Sequence, residues 1–329
     1  MPAISEFLHY FHKEQPKPPP ISTGTAAALL VIYTLFYVVP FYLSKTTRPS
    51  RSLSRDAPSV IRARITLVSL TCIVCSTTTF VILTSQGHAT NGEALHSMGH
   101  WPLGLSEAAR SLLLTAILFS GPLYETLLVD GEWRRWLSLQ PTSELFTDWI
   151  RWRNVIAGPL TEEVLFRSAS VPLMLVARTS VTRTIFLSPV IFGLAHVHHF
   201  YEFRLTHPHE PIANAMMRSL FQLTYTSLFG AYATFLFLRT GSLLAIFAVH
   251  AFCNIMGLPR VWGRVEPLSD LNGDAHHDGD GRKVDVMVPK ASILWSVVYY
   301  LLLVGGAVGF WRNLGPLTAS DNALVAIAM

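Results

Sequence analysis

Long apolar runs separated by short polar connections dominate the hydrophobic pattern of the chain. Four runs are the clearest candidates and are long enough, at about 20 residues, to cross a bilayer core of roughly 30 Å as a helix. They are Thr23–Leu43, Ile65–Thr84, Leu112–Val129 and Ser292–Phe310. Four more contain polar residues but remain strongly apolar: Val155–Ala177, Ile185–His199, Leu220–Leu238 and Ser242–Leu258. Because backbone groups cannot stay unpaired in hydrocarbon, all eight are predicted to be helices.

The composition agrees with a membrane protein. Of the 329 residues, 50% are hydrophobic and only 14% are charged, whereas soluble domains carry roughly 25% charged residues. The mean hydropathy is +0.38. The pattern therefore predicts an all-α, polytopic integral membrane bundle of about eight transmembrane helices. Short connections favour one domain over residues 23–310, between an N-terminal tail of 1–22 without a cleaved signal peptide and a C-terminal tail of 311–329.

The loop charges predict an orientation in the membrane. The net charge is only +4, and no basic tract interleaved with aromatics indicates nucleic-acid binding. The loop between the first two runs holds Lys45, Arg48, Arg51, Arg55, Arg62 and Arg64, while the loop Ser85–Leu105 holds no Lys or Arg. Basic loops favour the cytosolic side, so the first loop is predicted to be cytosolic. With eight crossings, the hydrophilic stretch Arg260–Lys290 is also cytosolic and both termini face the other side.

Several smaller features have ordinary interpretations. Cys72, Cys75 and Cys253 lie in apolar runs and are expected to be buried thiols, not disulfides or metal ligands. The acidic stretch Asp270–Asp280 matches no EF-hand pattern and is expected to be a loop. The polar segment Asp130–Arg153 is rich in tryptophan, which suits the headgroup level of a membrane. Its tryptophans could either anchor neighbouring helices or contact a lipid substrate.

Two adjacent carboxylates and an arginine stand inside one of the apolar runs, in the sequence G-P-L-T-E-E-V-L-F-R-S from Gly158 to Ser168. Ionisable groups in such surroundings are costly and usually functional. On a helix Glu163 and Arg167 share a face and can form an ion pair, while Glu162 is rotated by about 100°. The spacing therefore predicts one neutralised carboxylate and one that stays free.

Two further polar groups lie in separate apolar runs. Phe192 and His196 stand four residues apart, as do His250 and Asn254, so each pair is expected to share a helix face. Either pair alone is typical of a buried structural contact. Together with Glu162, they supply the base, imidazole and hydrogen-bond donors that amide hydrolysis requires.

The residue types indicate specific roles in such a reaction. Glu162, with His196 as its partner, can take a proton from water and make it nucleophilic. His250 and Asn254 can donate hydrogen bonds to the oxyanion of the tetrahedral intermediate. Glu163 and Arg167 are assigned to holding the helix in place, and Arg167 could also receive an anionic group of a substrate.

At these residues the sequence resembles the type II CAAX prenyl endopeptidases, in their eukaryotic branch. The family signatures E-E-x-x-x-R, F-x-x-x-H and H-x-x-x-N match Glu162, Glu163 and Arg167, then Phe192 and His196, then His250 and Asn254. The motif core spans about residues 155–259, with the flanks F-G-L-A-H-V-H-H and H-A-F-C-N-I-M-G-L-P among its features.

The resemblance implies a multi-pass enzyme of the endoplasmic reticulum with its active site open to the cytosol. It implies cleavage after the prenylated cysteine of C-terminal CaaX sequences, with prenylated proteins such as Ras-like small GTPases as partners. It also implies a glutamate-dependent hydrolase with the catalytic and supporting residues named above and with no metal or other cofactor.

Other interpretations remain beside this one. The zinc motif H-E-x-x-H is missing, because His209 and Glu210 are not followed by a second histidine. A zinc site made of Glu162, His196 and His250 is chemically possible. Intramembrane ionisable groups also occur in proton-coupled transporters, although no paired repeat with broken helices is evident. A non-catalytic binder of lipidated proteins is the remaining alternative.

Overall fold

All regular elements in the described part of the chain are helical. The computed structural model describes residues 18–267 and 292–327. The α-helices are α1 (Thr23–Val38), α2 (Pro40–Leu43), α3 (Pro58–Ser85), α4 (Asn91–Ser97), α5 (Leu105–Leu118), α6 (Ser120–Tyr124), α7 (Trp133–Leu137), α8 (Gln140–Thr147), α9 (Trp149–Trp152), α10 (Gly158–Glu163), α11 (Val171–Val176), α12 (Val181–Ala195), α13 (His198–Thr206), α14 (Ile212–Thr240), α15 (Leu243–Met256) and α16 (Ile293–Thr318). Three π-helical turns are π1 (Glu125–Val129), π2 (Arg153–Ala157) and π3 (Val164–Ala169). The predicted all-α fold is confirmed for these ranges, whereas the acidic stretch Asp270–Asp280 lies outside them.

Fewer helices qualify as membrane spans than the sequence predicts. Over the described ranges, three are long and apolar enough to cross: Thr23–Leu43, Pro58–Ser85 and Ile293–Thr318. There is a fourth span if the bent pair Leu105–Leu118 and Ser120–Val129 is counted as a single span. Helix α15 is apolar but has only 14 residues, about 21 Å of helix, which is shorter than a bilayer core. The protein is therefore an all-helical membrane protein, and the eight predicted crossings are not confirmed.

The predicted straight span Leu112–Val129 is instead sharply bent. Helix α5 and the segment Ser120–Val129, which comprises α6 and π1, meet at 81°. Helix α16 packs against both α5 and α6. Ser120 Oγ donates a hydrogen bond to the Leu302 carbonyl at 2.7 Å. Gly306 lies so close to the bend that an added Cβ would stand 2.4 Å from the Ile117 carbonyl oxygen. Small residues at this crossing therefore allow the backbones to approach.

The last helix continues past its predicted end at Phe310 and stops at Thr318. The residues after it return to the bundle through turns and bends. Leu324 N donates to the Leu238 carbonyl at 2.9 Å, and Arg239 Nη1 donates to the Ile327 carbonyl at 2.9 Å. Part of the predicted C-terminal tail is thus helix, and the part described beyond it packs against the end of α14.

The segment with the two glutamates alternates between α-helix and π-helix. Pro159 and Pro172 lie in the first turns of α10 and α11, and because proline has no N–H, each removes a backbone donor where the helical chain continues from a π turn. The turns π2 and π3 precede them. Such π turns frequently occur at functional sites because they change the direction in which neighbouring side chains point.

A chain of hydroxyl groups fixes this segment against α1 and α3. The Thr79 hydroxyl donates to the Ala169 carbonyl at 2.8 Å, and the same oxygen lies 3.0 Å from the Tyr33 hydroxyl. Since the Thr79 proton is used on Ala169, Tyr33 is the donor of the second bond. All three residues are buried, so losing one partner would leave an unpaired polar group inside the bundle.

Gly306→Ala is expected to destabilise the protein, because the new methyl group would collide with Ile117 and Ser120. Overpacking of this kind costs about 1–3 kcal/mol. Gly305→Ala is a matched control, since nothing lies within 4 Å of the added Cβ at that position. Thermal unfolding of both purified variants in detergent would measure the difference, and equal midpoints would contradict the close packing of α16 on the bend.

Candidate active site

The two adjacent glutamates end helix α10 and occupy different environments. The side chain of Glu162 is 20% exposed, whereas that of Glu163 is completely buried. Glu162 borders open space at the centre of the bundle. Consecutive helical residues differ by about 100° in direction, which accounts for this separation. The structure thus leaves one carboxylate accessible and one enclosed, as the spacing predicts.

Glu163 joins two of the predicted groups through one oxygen. Its Oε1 accepts a hydrogen bond from Arg167 Nη1 at 3.0 Å and another from His250 Nδ1 at 2.6 Å. The pairing of Glu163 with Arg167 is the predicted one. The contact with His250 on helix α15 was not predicted, because it depends on the packing of two helices that are distant in sequence.

Arg167 is almost fully buried, with 1% of its side chain exposed. Its guanidinium carbon lies 4.5 Å from the centre of the Phe192 ring and 5.9 Å from that of Phe229. Cation–π contacts of this kind help to compensate for lost hydration. Its Nε and Nη2 atoms have no hydrogen-bond partner among the described side chains and backbone. Phe192, the first residue of the second motif, therefore supports the ion pair directly.

His250 presents its second nitrogen to Glu162. Its Nε2 lies 3.8 Å from Glu162 Oε2, while Nδ1 donates to Glu163. The ring consequently stands between the two glutamates and is itself buried. A ring with a single proton on Nδ1 leaves Nε2 as an acceptor, so only the doubly protonated ring can donate toward the site.

His196 is the C-cap residue of helix α12 and is oriented by that helix. Its Nδ1 lies 3.0 Å from the Phe192 carbonyl, and since a carbonyl only accepts, Nδ1 carries the proton. The neutral ring therefore offers an unprotonated Nε2. Its ring centre lies 4.9 Å from that of Phe192, at an angle of 82°, so the two residues share a face as predicted. In the described residues the imidazole within 4 Å of Glu162 is that of His250, not that of His196.

Asn254 lies one turn after His250 on α15. Its amide donates a hydrogen bond to the Asn154 carbonyl at 2.8 Å, so one of its two protons is used on the neighbouring π2 turn. The side chain nevertheless borders the same space as Glu162, His196 and His250. The four predicted catalytic residues therefore converge from three separate helices, and the role of Asn254 as an oxyanion donor stays a prediction.

Two cavities meet at this point. One has a volume of about 770 Å³ and is mainly apolar. Its apolar lining includes Phe186, Phe192, Phe229, Phe235, Phe310 and Leu314. The other has a volume of about 190 Å³ and reaches toward the basic loop that precedes α3. Glu162, His196 and Asn254 line both, so the candidate catalytic groups stand at the junction of an apolar and a more polar space.

Glu202 on α13 is a residue that sequence reasoning missed. Its carboxylate accepts from Arg64 Nη2 at 3.0 Å, from His199 Nδ1 at 3.1 Å and from Arg55 Nη1 at 3.4 Å. Burial raises the pKa of Glu202, but the hydrogen bond from His199 and the charges of Arg64 and Arg55 lower it to about 2. Its position three residues after His199 was the only sequence signal. Glu202 thus ties the loop before α3 to α13.

The donor atoms near this carboxylate also bear on metal binding. Across the described ranges, His198, His199 and Glu202 form the one group whose ligand atoms lie within 4.8 Å of one another. Two guanidinium groups already occupy the oxygens of Glu202. Positive charge placed beside them would be repelled, so this group fits an arginine clamp better than a cation site. The possible zinc ligands Glu162, His196 and His250 do not form such a group.

Similarity to known proteins agrees with the arrangement of the site. The family described as Type II CAAX prenyl endopeptidase Rce1-like matches residues 145–256. The chain is 41% identical over 233 residues to "Probable CAAX prenyl protease 2" of Schizosaccharomyces pombe, which covers 71% of this chain and 81% of that protein. It is 34% identical to "CAAX prenyl protease 2" of Arabidopsis thaliana, over 75% of this chain and 84% of the relative. The corresponding protein of Homo sapiens is 36% identical, over 70% of both chains. No solved structure matches. The chain therefore belongs to the CAAX prenyl protease 2 family of type II CAAX prenyl endopeptidases.

Proposed function

We propose that this protein is a membrane endopeptidase that cleaves prenylated CaaX proteins after the prenylcysteine and releases the last three residues. The observation that carries the proposal is the convergence of Glu162, His196, His250 and Asn254 on one wall of an apolar cavity. A hydrolase needs a base, an imidazole and hydrogen-bond donors around one reacting atom. The membership of the chain in the CAAX prenyl protease 2 family supplies the substrate class.

Glu162 acts as the base in this proposal. Its carboxylate is partly exposed to the cavities and takes a proton from a water molecule, which then attacks the scissile carbonyl. The unprotonated Nε2 of His196 accepts a hydrogen bond from the same water and orients it. Both residues border the junction of the two cavities, where the peptide bond is placed.

His250 and Asn254 stabilise the negative charge that develops on the carbonyl oxygen. Nδ1 of His250 is already bound to Glu163, so donation from Nε2 requires the doubly protonated ring, with the Glu163 carboxylate as its counter-charge. The second amide proton of Asn254 completes the oxyanion site, because the first is bound to Asn154. Donors placed in advance in a cavity with little water are effective at this task.

The apolar cavity receives the prenyl chain. Phenylalanines and leucines line most of its wall, and burying a prenyl chain there removes apolar area from water at about 25 cal/mol per Å². A prenylated substrate also partitions into the bilayer, which brings the scissile bond to the membrane surface. The cavity thus accounts for a requirement for lipidated proteins, among them Ras-like small GTPases.

The finer topology is part of the same proposal. The family resemblance supports a location in the membrane of the endoplasmic reticulum, and eight crossings would put both termini on the lumenal side. The basic residues of the loop before α3 support a cytosolic position for that loop. The smaller cavity reaches this loop, so in this proposal the active site opens to the cytosol.

Purified wild type in lipid vesicles is expected to cleave a prenylated CaaX peptide but not its unprenylated twin. Glu162→Gln should remove nearly all cleavage, since a general base contributes roughly 10²–10⁴-fold. Glu163→Gln should retain more activity, because Glu163 takes no proton from water and acts through His250 and Arg167, which a glutamine oxygen can still bind. Peptide release measured by mass spectrometry would give all three results.

Equal losses in the two glutamine variants, with unfolding temperatures near that of wild type, would refute the separate roles of the two glutamates. Binding of the prenylated peptide without cleavage would favour the non-catalytic binder. Proton-coupled uptake of a solute into the vesicles, without peptide cleavage, would favour the transporter.

Asn254→Ala is expected to lower kcat by a factor of roughly 10²–10³ while KM stays nearly constant, because an oxyanion donor acts mainly in the transition state. His250→Ala should lower kcat in the same way, and because it also removes a partner of Glu163, its unfolding temperature should fall. In the double variant kcat should fall by far less than the product of the two single factors, because the effects of residues that act as a unit are not additive. An increase in KM alone, or a lower unfolding temperature with kcat intact, would make Asn254 a helix contact through Asn154.

Tags inserted near Arg55 and near Gly273 are expected to be digested when protease is added outside sealed microsomes, because both positions are predicted to be cytosolic. A tag at the N-terminus should be protected under the same conditions. Protection of either loop tag would show that the number of crossings is wrong.

A further inference from the structure

Three arginines line the smaller cavity that extends from the candidate catalytic residues. They are Arg55, Arg64 and Arg153, and they reach it from the loop before α3, from α3 and from π2. None of them touches Glu162 or takes part in the chemistry proposed above. A cavity that joins a hydrolytic site and collects guanidinium groups is suited to hold an anionic part of the substrate.

Two of the arginines are firmly held by the protein. Arg64 donates from Nη2 to Glu202 at 3.0 Å and from Nε to the Thr47 carbonyl at 3.0 Å. Arg153 donates from Nη1 to Asp56 at 2.7 Å and from Nε to the Asn154 side chain at 2.9 Å. These bonds use much of the donor capacity of both groups.

Arg55 is held loosely. Its Nη1 lies 3.4 Å from Glu202 Oε2 and its Nε lies 3.8 Å from Asp56 Oδ1. Its Nη2 has no partner in the described part of the chain, and 45% of the side chain is exposed. Arg55 therefore still has donors to offer, while Glu202 keeps its guanidinium near the cavity.

Arg55 is the arginine of this group that can accept another partner. The guanidinium groups of Arg55, Arg64 and Arg153 face the carboxylates of Asp56 and Glu202. A third carboxylate, that of Glu162, borders the cavity but pairs with none of the three arginines in the described part of the chain. The open side of Arg55 can therefore bind a carboxylate from a substrate, which the fork of an arginine matches in a two-bond arrangement.

We propose that Arg55 binds the C-terminal carboxylate of the CaaX substrate and so selects free C-termini. This inference rests on the proposed function. With the prenyl chain in the apolar cavity and the scissile bond at Glu162, the three residues after the prenylcysteine extend into the arginine-lined cavity. Three extended residues span about 10 Å, which carries the terminal carboxylate away from Glu162. Arg64, Arg153 and Glu202 position Arg55, and only Arg55 contacts the substrate.

The test compares two prenylated peptides that differ only at the C-terminus, one with a free carboxylate and one with a carboxamide. Wild type should cleave the carboxylate form with a kcat/KM roughly 10- to 100-fold higher, mainly through KM, because a hydrogen bond between charged groups is lost in the amide. In Arg55→Gln the ratio should fall to about one, as a double-mutant cycle requires for interacting groups. Arg55→Lys, which keeps the charge but loses the fork, should give an intermediate ratio.

Arg48→Gln is the matched control, since Arg48 is an exposed arginine of the same loop that does not line this cavity. It should keep the wild-type ratio, which would separate a specific contact from the general charge of the loop. Unfolding temperatures of the variants would identify any loss of folding. The ratio of kcat/KM between the two peptides in wild type tests the proposal even if a variant fails to fold.

Two results would overturn the assignment of Arg55. One is equal cleavage of both peptides by wild type, and the other is an undiminished ratio in Arg55→Gln. Either would leave the proposed endopeptidase function intact. If wild type cleaves neither prenylated peptide, the proposed function itself fails and the role of Arg55 fails with it.

Discussion

A buried ionic group made of Glu163, Arg167 and His250 holds the centre of this protein together. Two of its members are completely or almost completely withdrawn from water, and removing one partner from such a group typically costs about 3–5 kcal/mol because the other charge is left uncompensated. The group joins the segment α10–π3 to α15. The rings of Phe192 and Phe229 then fix α12 and α14 around the guanidinium of Arg167. The position of Glu162 depends on this arrangement, because it is the residue next to Glu163.

Close helix contacts around the same arginine leave little freedom for movement. A Cβ at Gly230 on α14 would lie 2.8 Å from Pro189 Cβ and 3.0 Å from Arg167 Nη2. A glycine here allows α14 to approach both α12 and the ionic group. The site is thus surrounded by packed helices, and the rigid placement of its side chains is a consequence of that packing.

Local periodicity was sufficient to predict the parts of the site that lie on one helix. The pairing of Glu163 with Arg167, and the shared face of Phe192 and His196, follow from a four-residue spacing. The helical fold class followed from hydropathy in the same way. Contacts between helices could not be predicted, because the pattern of a single sequence does not show that α10 packs against α15. The hydrogen bond from His250 to Glu163 and the ion pairs that link Glu202 to the loop before α3 are contacts of this kind.

Errors in the predicted spans have a related origin. Hydropathy reports how apolar a run is but not whether it is straight, and the run from Leu112 to Val129 satisfies the hydropathy test while bending by 81°. The bend is stabilised by α16, which enters almost two hundred residues later in the sequence and contacts it through Ser120. The carbonyl of Asn154, which occupies one proton of Asn254, is likewise exposed only because π2 departs from regular helix.

The junction of two unlike cavities has a consequence for what happens after the bond is cut. In the proposed reaction the released peptide gains a charged amino end beside the carboxylate it already has and is soluble in water, whereas the shortened protein gains a carboxylate at its prenylcysteine but keeps its lipid and remains in the bilayer. Because both cavities meet at Glu162, His196 and Asn254, the proposed binding mode leaves the lipid in the apolar cavity and the released peptide in the arginine-lined one. Neither has to pass the other to leave, so the partition of the products between water and lipid opposes their recombination.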